Sequence, residues 1–246
     1  MAKRIFAFGC SYTRHRWPTW ADIMSWDQQV PVYNNGIPGI GNVGILHKMV
    51  ECDIQHKFTS EDLVIVLWSS WNREDRYKDG RWLAGGNILT SEYYDKDYIK
   101  KYWSIENNIV KNSTAIITAN KSFTINFQGH IAPIMSGKYD LLSESEQQLF
   151  DFYKESLPLD NVFSTTINDG KSLFAKVMKD RHPDVLEHLA YLKLIYRQLG
   201  LTLSPSIEAR CIELQDRIIQ DINPSSDEMT KAIQIREMVE SYDTNK

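Results

Sequence analysis

Residues 63–68 read LVIVLW, an uninterrupted apolar run that predicts a strand buried on both of its faces. Strands of this kind lie at the centre of parallel sheets, where helices cover both sides. A second apolar run, IFAF at residues 5–8, predicts another buried strand near the start of the chain. These two segments indicate an α/β fold with a mainly parallel sheet.

The segments around these strands alternate between strand and helix patterns. Two further strands are predicted over residues 30–33 and 123–127. Helices are predicted from Trp17-Pro18-Thr19-Trp20 onward and over residues 43–53, 97–120 and 184–199. Residues 75–94 are polar and aromatic and indicate an inserted loop, and residues 158–170 indicate another. The alternation predicts a three-layer α/β/α sandwich.

The pattern changes at Ser204, where two charged amphipathic helices begin. The first has Ile207, Cys211, Leu214 and Ile218 at helical spacing, and the second is predicted to turn Met229, Ile233 and Val239 inward. We therefore predict a main domain over residues 1–203 and a C-terminal helical hairpin over residues 204–246. Such a hairpin suits packing against the main domain or formation of a homo-oligomer.

The composition excludes several classes of function. The chain has 246 residues, of which 42% are hydrophobic, so one substantial core is possible. A net charge of −4 argues against nucleic acid as a partner, and no apolar run reaches the length of a membrane span. Three widely spaced cysteines indicate reduced thiols, and the apolar start is too short for a signal peptide. The sequence therefore predicts a cytoplasmic protein.

Ser11 follows the first strand directly, after Gly9 and Cys10. A serine at a strand-to-helix turn is exposed above the end of the sheet, where a neighbouring base can reach it. Serine is also a common helix N-cap. On this segment alone, both roles remain open.

Three other segments are predicted to reach the same edge of the sheet as Ser11. The glycine-rich loop 36–42 offers backbone N–H groups, the segment after the central strand offers the Asn72 amide, and Asp180 and His182 offer a carboxylate and a base. Each has an ordinary alternative, as turn glycines, a helix cap or an exposed loop histidine. Their order along the chain favours a common site.

In this order the four segments resemble the blocks of the SGNH hydrolase superfamily, the GDSL-type esterases and lipases. Residues 8–13, 34–39, 70–72 and 180–183 are similar to its first to fourth blocks. Three positions depart from the pattern, with Cys10 in place of Asp, Ser70 in place of Gly and Arg73 in place of Asp. The usual spacing of the last block would put its Asp at Lys179 rather than Asp180.

The resemblance implies a flavodoxin-like sheet and a serine ester hydrolase that needs no cofactor or metal. It implies Ser11 as nucleophile, His182 as base and Asp180 as the carboxylate behind it. The oxyanion hole would consist of the N–H groups of Ser11 and Gly39 and the Asn72 side chain. Segments 17–20 and 73–77 are similar to SGNH-like proteins of tailed bacteriophages, and a phage-encoded protein offers virion association as an alternative to the cytoplasmic location.

The substrate prediction rests on fewer residues. Arg73, Trp71 and Tyr12 are candidate substrate-binding residues, and arginines near Ser11 favour an anionic or sugar-rich ester or else form a solvated surface. We predict a small acyl ester or a carbohydrate O-acetyl group rather than a long-chain lipid.

Three alternatives remain. Cys10 could act as the nucleophile, although its side chain is predicted to point away from that of Ser11. A metal site of His182, Glu187 and His188 does not have the i, i+4 spacing of helical zinc ligands. The third alternative is a binding or structural protein on the same fold, such as a bacteriophage virion component with little or no turnover.

Overall fold

The computed structural model describes residues 2–70, 73–78, 81–87, 124–131, 161–163, 173–180 and 182–243, together with residues 144, 147, 148 and 151. The strands are β1 (Arg4–Gly9), β2 (Val32–Gly36), β3 (Asp62–Trp68), β4 (Arg73–Lys78), β5 (Arg81–Asn87), β6 (Ile125–Ile131) and β7 (Val162–Phe163). The helices are α1 (Trp20–Gln28), α2 (Asn42–His56), α3 (Leu173–Met178), α4 (Val185–Leu199), α5 (Pro205–Asp221) and α6 (Glu228–Asp243). Within these ranges, no helix has both the length and the apolar character of a membrane span.

The main sheet has the strand order β2-β1-β3-β6-β7, and all of its neighbouring strands run parallel. The chain moves to one side from β1 to β2 and then crosses to the other side to form β3. Because such crossovers are right-handed, α1 and α2 lie on opposite faces of the sheet. In keeping with this, α1 packs with α4, whereas α2 packs with β1 and the β4–β5 pair. The predicted α/β/α sandwich with a flavodoxin-like sheet is confirmed.

The central strands carry the core, as the LVIVLW run predicts. Phe6, Phe8, Ile65 and Val66 are completely buried in β1 and β3. The strand order reverses direction at β1 and β3, and open α/β sheets bind ligands at the carboxyl ends of the strands at such a point. The fold therefore directs attention to the residues after Gly9 and Trp68.

Two predicted loops are wrong in part, because each contains strand structure. The described part of segment 75–94 lies in strands β4 and β5 rather than in a loop. These two strands form an antiparallel pair. The loop over 158–170 contains the edge strand β7. Neither segment has the apolar run or alternation that marks a strand in the sequence. The predicted helix over 97–120 lies outside the described residues.

Strand β2 also begins and ends later than its predicted range of 30–33. The two asparagines Asn34 and Asn35 were expected in a turn, but they pair with Ala7 and Phe8 of β1. The Asn34 amide donates to Thr13 O at 2.8 Å, so its polar side chain is satisfied beside the sheet.

The C-terminal helices differ in how well their inner faces were predicted. In α5, the predicted residues Ile207, Cys211, Leu214 and Ile218 are all buried. In α6, however, Met229 and Ile233 are exposed at 75% and 51%, whereas Val239 packs half-buried against the core as predicted; the buried side chains are Lys231, Ile235 and Met238. The side chain of Lys231 is covered completely and pairs with Glu228 at 3.2 Å, so a lysine occupies the inner face that was expected to be apolar.

Helix α5 is bonded directly to the start of α4. The Gln215 side chain accepts a hydrogen bond from the Val185 N–H at 3.1 Å in a buried position. This N–H belongs to the first turn of α4, where it has no acceptor within its own helix. The division into a domain over 1–203 and a hairpin over 204–246 stays a prediction.

Leu214→Ala is expected to lower the free energy of unfolding by about 2–5 kcal/mol, because it removes a fully buried side chain and leaves a cavity. Urea unfolding followed by circular dichroism measures this loss. Ile212→Ala is the matched control, since Ile212 lies on the same helix with 46% exposure. Equal losses in the two variants would mean that α5 does not pack on the rest of the protein as described.

Candidate active site

Ser11 lies in a tight turn at the carboxyl end of β1. The N–H groups of Thr13 and Arg14 both donate to Cys10 O, at 2.9 and 3.2 Å. Gly9 permits this turn, because a Cβ there would collide with Thr13 Oγ1 and come within 2.8 Å of Leu67 O. Helix α1 begins later and has Thr19 as its N-cap, so Ser11 is not the cap of that helix.

The Ser11 hydroxyl is in hydrogen-bond contact with His182. His182 Nε2 lies 2.8 Å from Ser11 Oγ, and His182 Nδ1 lies 2.6 Å from Asp180 Oδ1. An ionised carboxylate only accepts hydrogen bonds, so the proton of the neutral imidazole belongs on Nδ1. Nε2 then keeps its lone pair free for the Ser11 hydroxyl proton. This is the geometry that a serine nucleophile and its base require.

The backbone at Lys179 explains how Asp180 reaches His182 from only two residues away. Lys179 follows α3 in the left-handed conformation, with φ of 51°, and its side chain is exposed. Asp180 then accepts both the His182 N–H, at 3.0 Å, and the Nδ1–H. The structure therefore brings Asp180, rather than Lys179, to the imidazole.

The loop that carries His182 is held at its far end by Trp17 and by the start of α4. The Trp17 indole N–H donates to Pro183 O at 2.7 Å in a buried position. Asp184 caps α4 by accepting the Glu187 N–H at 2.9 Å. These bonds fix the backbone on the C-terminal side of His182.

His15, which lies between two of the arginines near Ser11, is a second histidine in the site, and the sequence predicted no catalytic role for it. Its Nε2 lies 3.2 Å from Asp180 Oδ2, so Asp180 bridges two imidazoles. Its ring stacks on His182 with centroids 4.1 Å apart and meets the Trp17 ring edge-on at 4.2 Å. The only signal in the sequence is its nearness to Ser11.

The surroundings favour an ionised Asp180 beside a neutral His15. Burial alone would raise the pKa of Asp180, but the hydrogen bonds from His15 and His182 outweigh it and hold that pKa well below its usual range. Burial lowers the pKa of His15, although Asp180 acts in the opposite direction. Neutral His15 therefore donates its Nε2–H to Asp180, which remains a carboxylate at neutral pH.

Gly39 lies beside Ser11 on a loop that two side chains hold in place. Asp75 accepts the N–H groups of Gly41 and Gly44 at 2.7 and 2.8 Å, and Asn42 Oδ1 accepts the Ser69 N–H at 2.7 Å. Gly39 itself has φ of 81°, a conformation that favours glycine. Asp75 acts as a cap for α2 from another strand, so no local pattern in the sequence indicates it.

The N–H groups of Ser11 and Gly39 are the two predicted backbone donors of this site. Among the described residues, neither the Ser11 N–H nor the Gly39 N–H has a hydrogen-bond acceptor. The third predicted oxyanion donor, Asn72, lies outside the described residues, as does the candidate substrate-binding residue Trp71.

Tyr12 and Cys10, on either side of Ser11, are both buried. The Tyr12 ring contacts the His182 ring edge-on, with centroids 5.5 Å apart. We had expected Tyr12 to bind substrate, but it is not among the described residues that line the cavity. Cys10 does not point away from Ser11 as expected, since its Sγ lies 3.9 Å from Ser11 Oγ. With only 2% exposure, Cys10 is nevertheless covered by the core.

A cavity of about 490 Å³ opens above these groups. The described residues that line it are Ser11, Arg14, His15, Arg16, Pro38, Gly39, Arg73, Asp180 and His182. Arg73, a predicted substrate-binding residue, is thus on its wall. The volume is within the range of small-molecule sites.

Metal-ligand atoms also come together in this cavity. His15, Asp180 and His182 offer ligand atoms within 4.8 Å of one another, a set able to hold a divalent cation. The alternative set is not assembled, because Glu187 accepts the Asp184 N–H at 3.0 Å and His188 is completely buried. A cation on the first set would replace the hydrogen bonds of Asp180 to both histidines.

His188 is expected to make the protein less stable in acid. Its ring nitrogens are buried without a hydrogen-bond partner among the described residues, and burial lowers its pKa well below 6.5. The unfolded chain takes up a proton near pH 6.5 that the folded protein excludes. The free energy of unfolding therefore falls by about 1.4 kcal/mol for each pH unit below 6.5.

His188→Leu is expected to remove this contribution, as urea unfolding between pH 8 and pH 5 would show. Burial also lowers the pKa of His130, to about 4, so His130 destabilises wild type and His188→Leu alike in acid. The contribution of His188 is therefore the difference in unfolding free energy between the two proteins at each pH. Parallel pH profiles for wild type and His188→Leu would contradict the prediction.

Comparison with known proteins gives matches in structure only. No family model and no curated protein matches the chain. A lipolytic protein of the G-D-S-L family from Veillonella parvula DSM 2008 is 17% identical, with a TM-score of 0.42, and the match covers 80% of this chain and 97% of the other. A putative G-D-S-L lipolytic protein from Desulfitobacterium hafniense DCB-2 is 16% identical, with a TM-score of 0.46 and coverage of 80% and 99%.

A third match is an acetylxylan esterase from Geobacillus stearothermophilus, in the form of a catalytic mutant. It is 14% identical, with a TM-score of 0.43, and the match covers 81% of this chain and 95% of the other. The first two of these proteins are described as members of the G-D-S-L family, which is the family whose sequence blocks this chain resembles. At these identities and TM-scores the likeness assigns no activity to this chain, so its function is inferred from the site.

Proposed function

We propose that this protein is a serine hydrolase that cleaves carboxylic esters. The observation that carries the proposal is the 2.8 Å contact between Ser11 Oγ and His182 Nε2, with Asp180 bound to the other nitrogen of the same imidazole. The same arrangement, in which a base contacts the nucleophile and a carboxylate orients the base, performs acyl transfer in proteins of unrelated folds.

In the proposed reaction, His182 takes the proton of Ser11 while Ser11 Oγ attacks the ester carbonyl. The resulting oxyanion is stabilised by the N–H groups of Ser11 and Gly39 and by the Asn72 amide. His182 then passes the proton to the leaving alcohol, which leaves an acyl group on Ser11. Water attacks this acyl-enzyme with His182 again as base, and the acid departs as Ser11 regains its proton.

The proposed substrate has a small acyl group, such as an O-acetyl group on a carbohydrate. The arginines on the wall support this choice over a long hydrocarbon chain. An apolar tail would require an apolar lining, because burying it against guanidinium groups gains little hydrophobic free energy.

Ester hydrolysis combined with labelling of Ser11 tests the proposal. We expect turnover of p-nitrophenyl acetate to exceed that of p-nitrophenyl octanoate. A fluorophosphonate should abolish this turnover and add its mass to the peptide that contains Ser11. EDTA should leave the activity unchanged, because no step uses a metal, whereas loss of activity with EDTA and recovery with Zn²⁺ would favour the His15–Asp180–His182 set as a metal centre.

A binding or structural protein, such as a bacteriophage virion component, is the second candidate function. The departures from the block pattern at Cys10, Ser70 and Arg73 favour it. The absence of both ester turnover and fluorophosphonate labelling would support this candidate and overturn the proposed activity.

The homo-oligomer expected from the C-terminal helices stays a prediction. Met229 and Ile233 lie one turn apart on α6 and are exposed, as is Ile212 on α5, so these apolar side chains are candidates for such a contact. Analytical ultracentrifugation of wild type and Met229→Asp distinguishes a monomer from an oligomer held together by this surface.

A further inference from the structure

The cavity above Ser11 is more basic than the protein that surrounds it. The described residues on its wall include three arginines, Arg14, Arg16 and Arg73, and one carboxylate, that of Asp180. The whole chain has a net charge of −4, so this concentration of positive charge is local. Charge of one sign in a cleft raises the local concentration of ligands of the opposite sign.

Arg16 already has carboxylate partners within the protein. It forms an ion pair with Glu228 of α6, and its Nη2 lies 3.7 Å from Asp180 Oδ2. Its charge is therefore offset before any ligand enters.

Arg14 and Arg73 differ from Arg16 in this respect. Neither forms a salt bridge with a carboxylate of the described residues, although the positive charge of Arg14 acts on Asp22 from beyond salt-bridge distance. Arg14 is exposed beside the Ser11 turn, and Arg73 is half-buried at the start of β4, so the two approach the cavity from different elements. Guanidinium groups bind carboxylate, sulfate and phosphate through paired N–H groups.

We propose that the cavity selects esters that carry an anionic group, with Arg14 and Arg73 as the partners of that group. This inference rests on the proposed ester hydrolysis, because the ester carbonyl must lie at Ser11 while the anion lies on the arginine wall. Acetylated acidic sugars and acylated organic acids both have this chemistry.

Matched esters test the selection. The substrates are 4-acetoxybenzoate, 4-acetoxybenzenesulfonate and 4-acetoxyphenyl phosphate, with methyl 4-acetoxybenzoate as the neutral reference. The readout is the ratio of kcat/KM for each anionic ester to kcat/KM for the neutral ester. We expect Arg14→Gln and Arg73→Gln each to lower this ratio by about tenfold or more, since a hydrogen bond to a charged group is lost. The anion with the highest ratio identifies the preferred group.

Arg236→Gln is the matched control. It removes the same charge from the protein, but Arg236 lies on α6 with 79% exposure and is paired with Glu240. Both its activity and its ratio should equal those of the wild type. Added NaCl should lower kcat/KM for the anionic esters more than for the neutral one, because salt screens the attraction.

The outcomes separate this inference from the proposed function. If Ser11-dependent hydrolysis occurs but the ratio is the same in wild type, Arg14→Gln and Arg73→Gln, the anion inference is wrong and the esterase proposal stands. If no hydrolysis occurs, calorimetric titration with 4-hydroxybenzoate decides, since weaker binding by both arginine variants than by Arg236→Gln supports the anion site. Equal binding by all variants, or no binding to the wild type, overturns it.

Discussion

Ser11→Ala is expected to lower kcat for p-nitrophenyl acetate by about 10⁴- to 10⁶-fold, because the acyl-enzyme can no longer form. The effect should appear in kcat rather than in KM, since the cavity that binds the substrate is unchanged. Stopped-flow release of p-nitrophenol measures it and also shows whether the wild type has the initial burst of an acyl-enzyme. The variant should have the same unfolding free energy as the wild type within error.

Cys10→Ala is the control that separates Ser11 from its neighbour. Cys10 Sγ lies 3.9 Å from Ser11 Oγ, close enough to raise a cysteine mechanism, but His182 Nε2 contacts the Ser11 hydroxyl. The Cys10→Ala variant should therefore keep most of its activity. Loss of activity in Cys10→Ala with retention in Ser11→Ala would assign the reaction to the thiol.

Asp180→Asn is expected to lower kcat by about 10³- to 10⁴-fold. An amide that turns its N–H₂ group toward His182 Nδ1 favours the wrong tautomer, which places the proton on Nε2 and blocks its role as base. The substitution also weakens the bond from His15 Nε2, which Asp180 accepts at 3.2 Å. Steady-state kinetics from pH 6 to pH 9 would show the loss across the whole range.

Lys179→Asn is the matched control for this change. Lys179 holds the position where the resemblance to SGNH hydrolases would put the carboxylate, but its side chain is exposed. Asparagine tolerates the left-handed backbone at this residue, so the turn should persist and the activity should remain. A large loss in Lys179→Asn with little loss in Asp180→Asn would contradict the assignment of Asp180.

Much of the main sheet follows from local sequence patterns. The runs at residues 5–8 and 63–68 lie in strands β1 and β3, and the helix predicted over 184–199 corresponds to α4, which begins one residue later. The two strands are buried on both faces and therefore show as uninterrupted apolar runs, whereas the helix shows as an apolar face at helical spacing. The β4–β5 pair and the two-residue β7 have neither pattern, so the sequence indicated loops at those places.

In the candidate site, the sequence predicted those residues that directly follow a recognisable strand or precede a recognisable helix. Ser11 follows an apolar strand and His182 follows Asp180 just before a helix start, and the structure brings the three together. His15 and Asp75 were missed because their roles depend on contacts across the fold, namely His15 with Asp180 and Asp75 with Gly41. A single sequence carries no record of such pairs.

The bond between Gln215 and the Val185 N–H has a consequence for how this protein can diverge. Replacing Gln215 with a side chain that cannot accept leaves a buried donor unpaired, at a cost of about 1–3 kcal/mol, beside the loop that presents His182. Sequences descended from this one should therefore change position 215 together with the start of α4, or exchange it only for another acceptor. Helix α5 supplies no reacting group, yet substitutions in it should be correlated with substitutions beside His182.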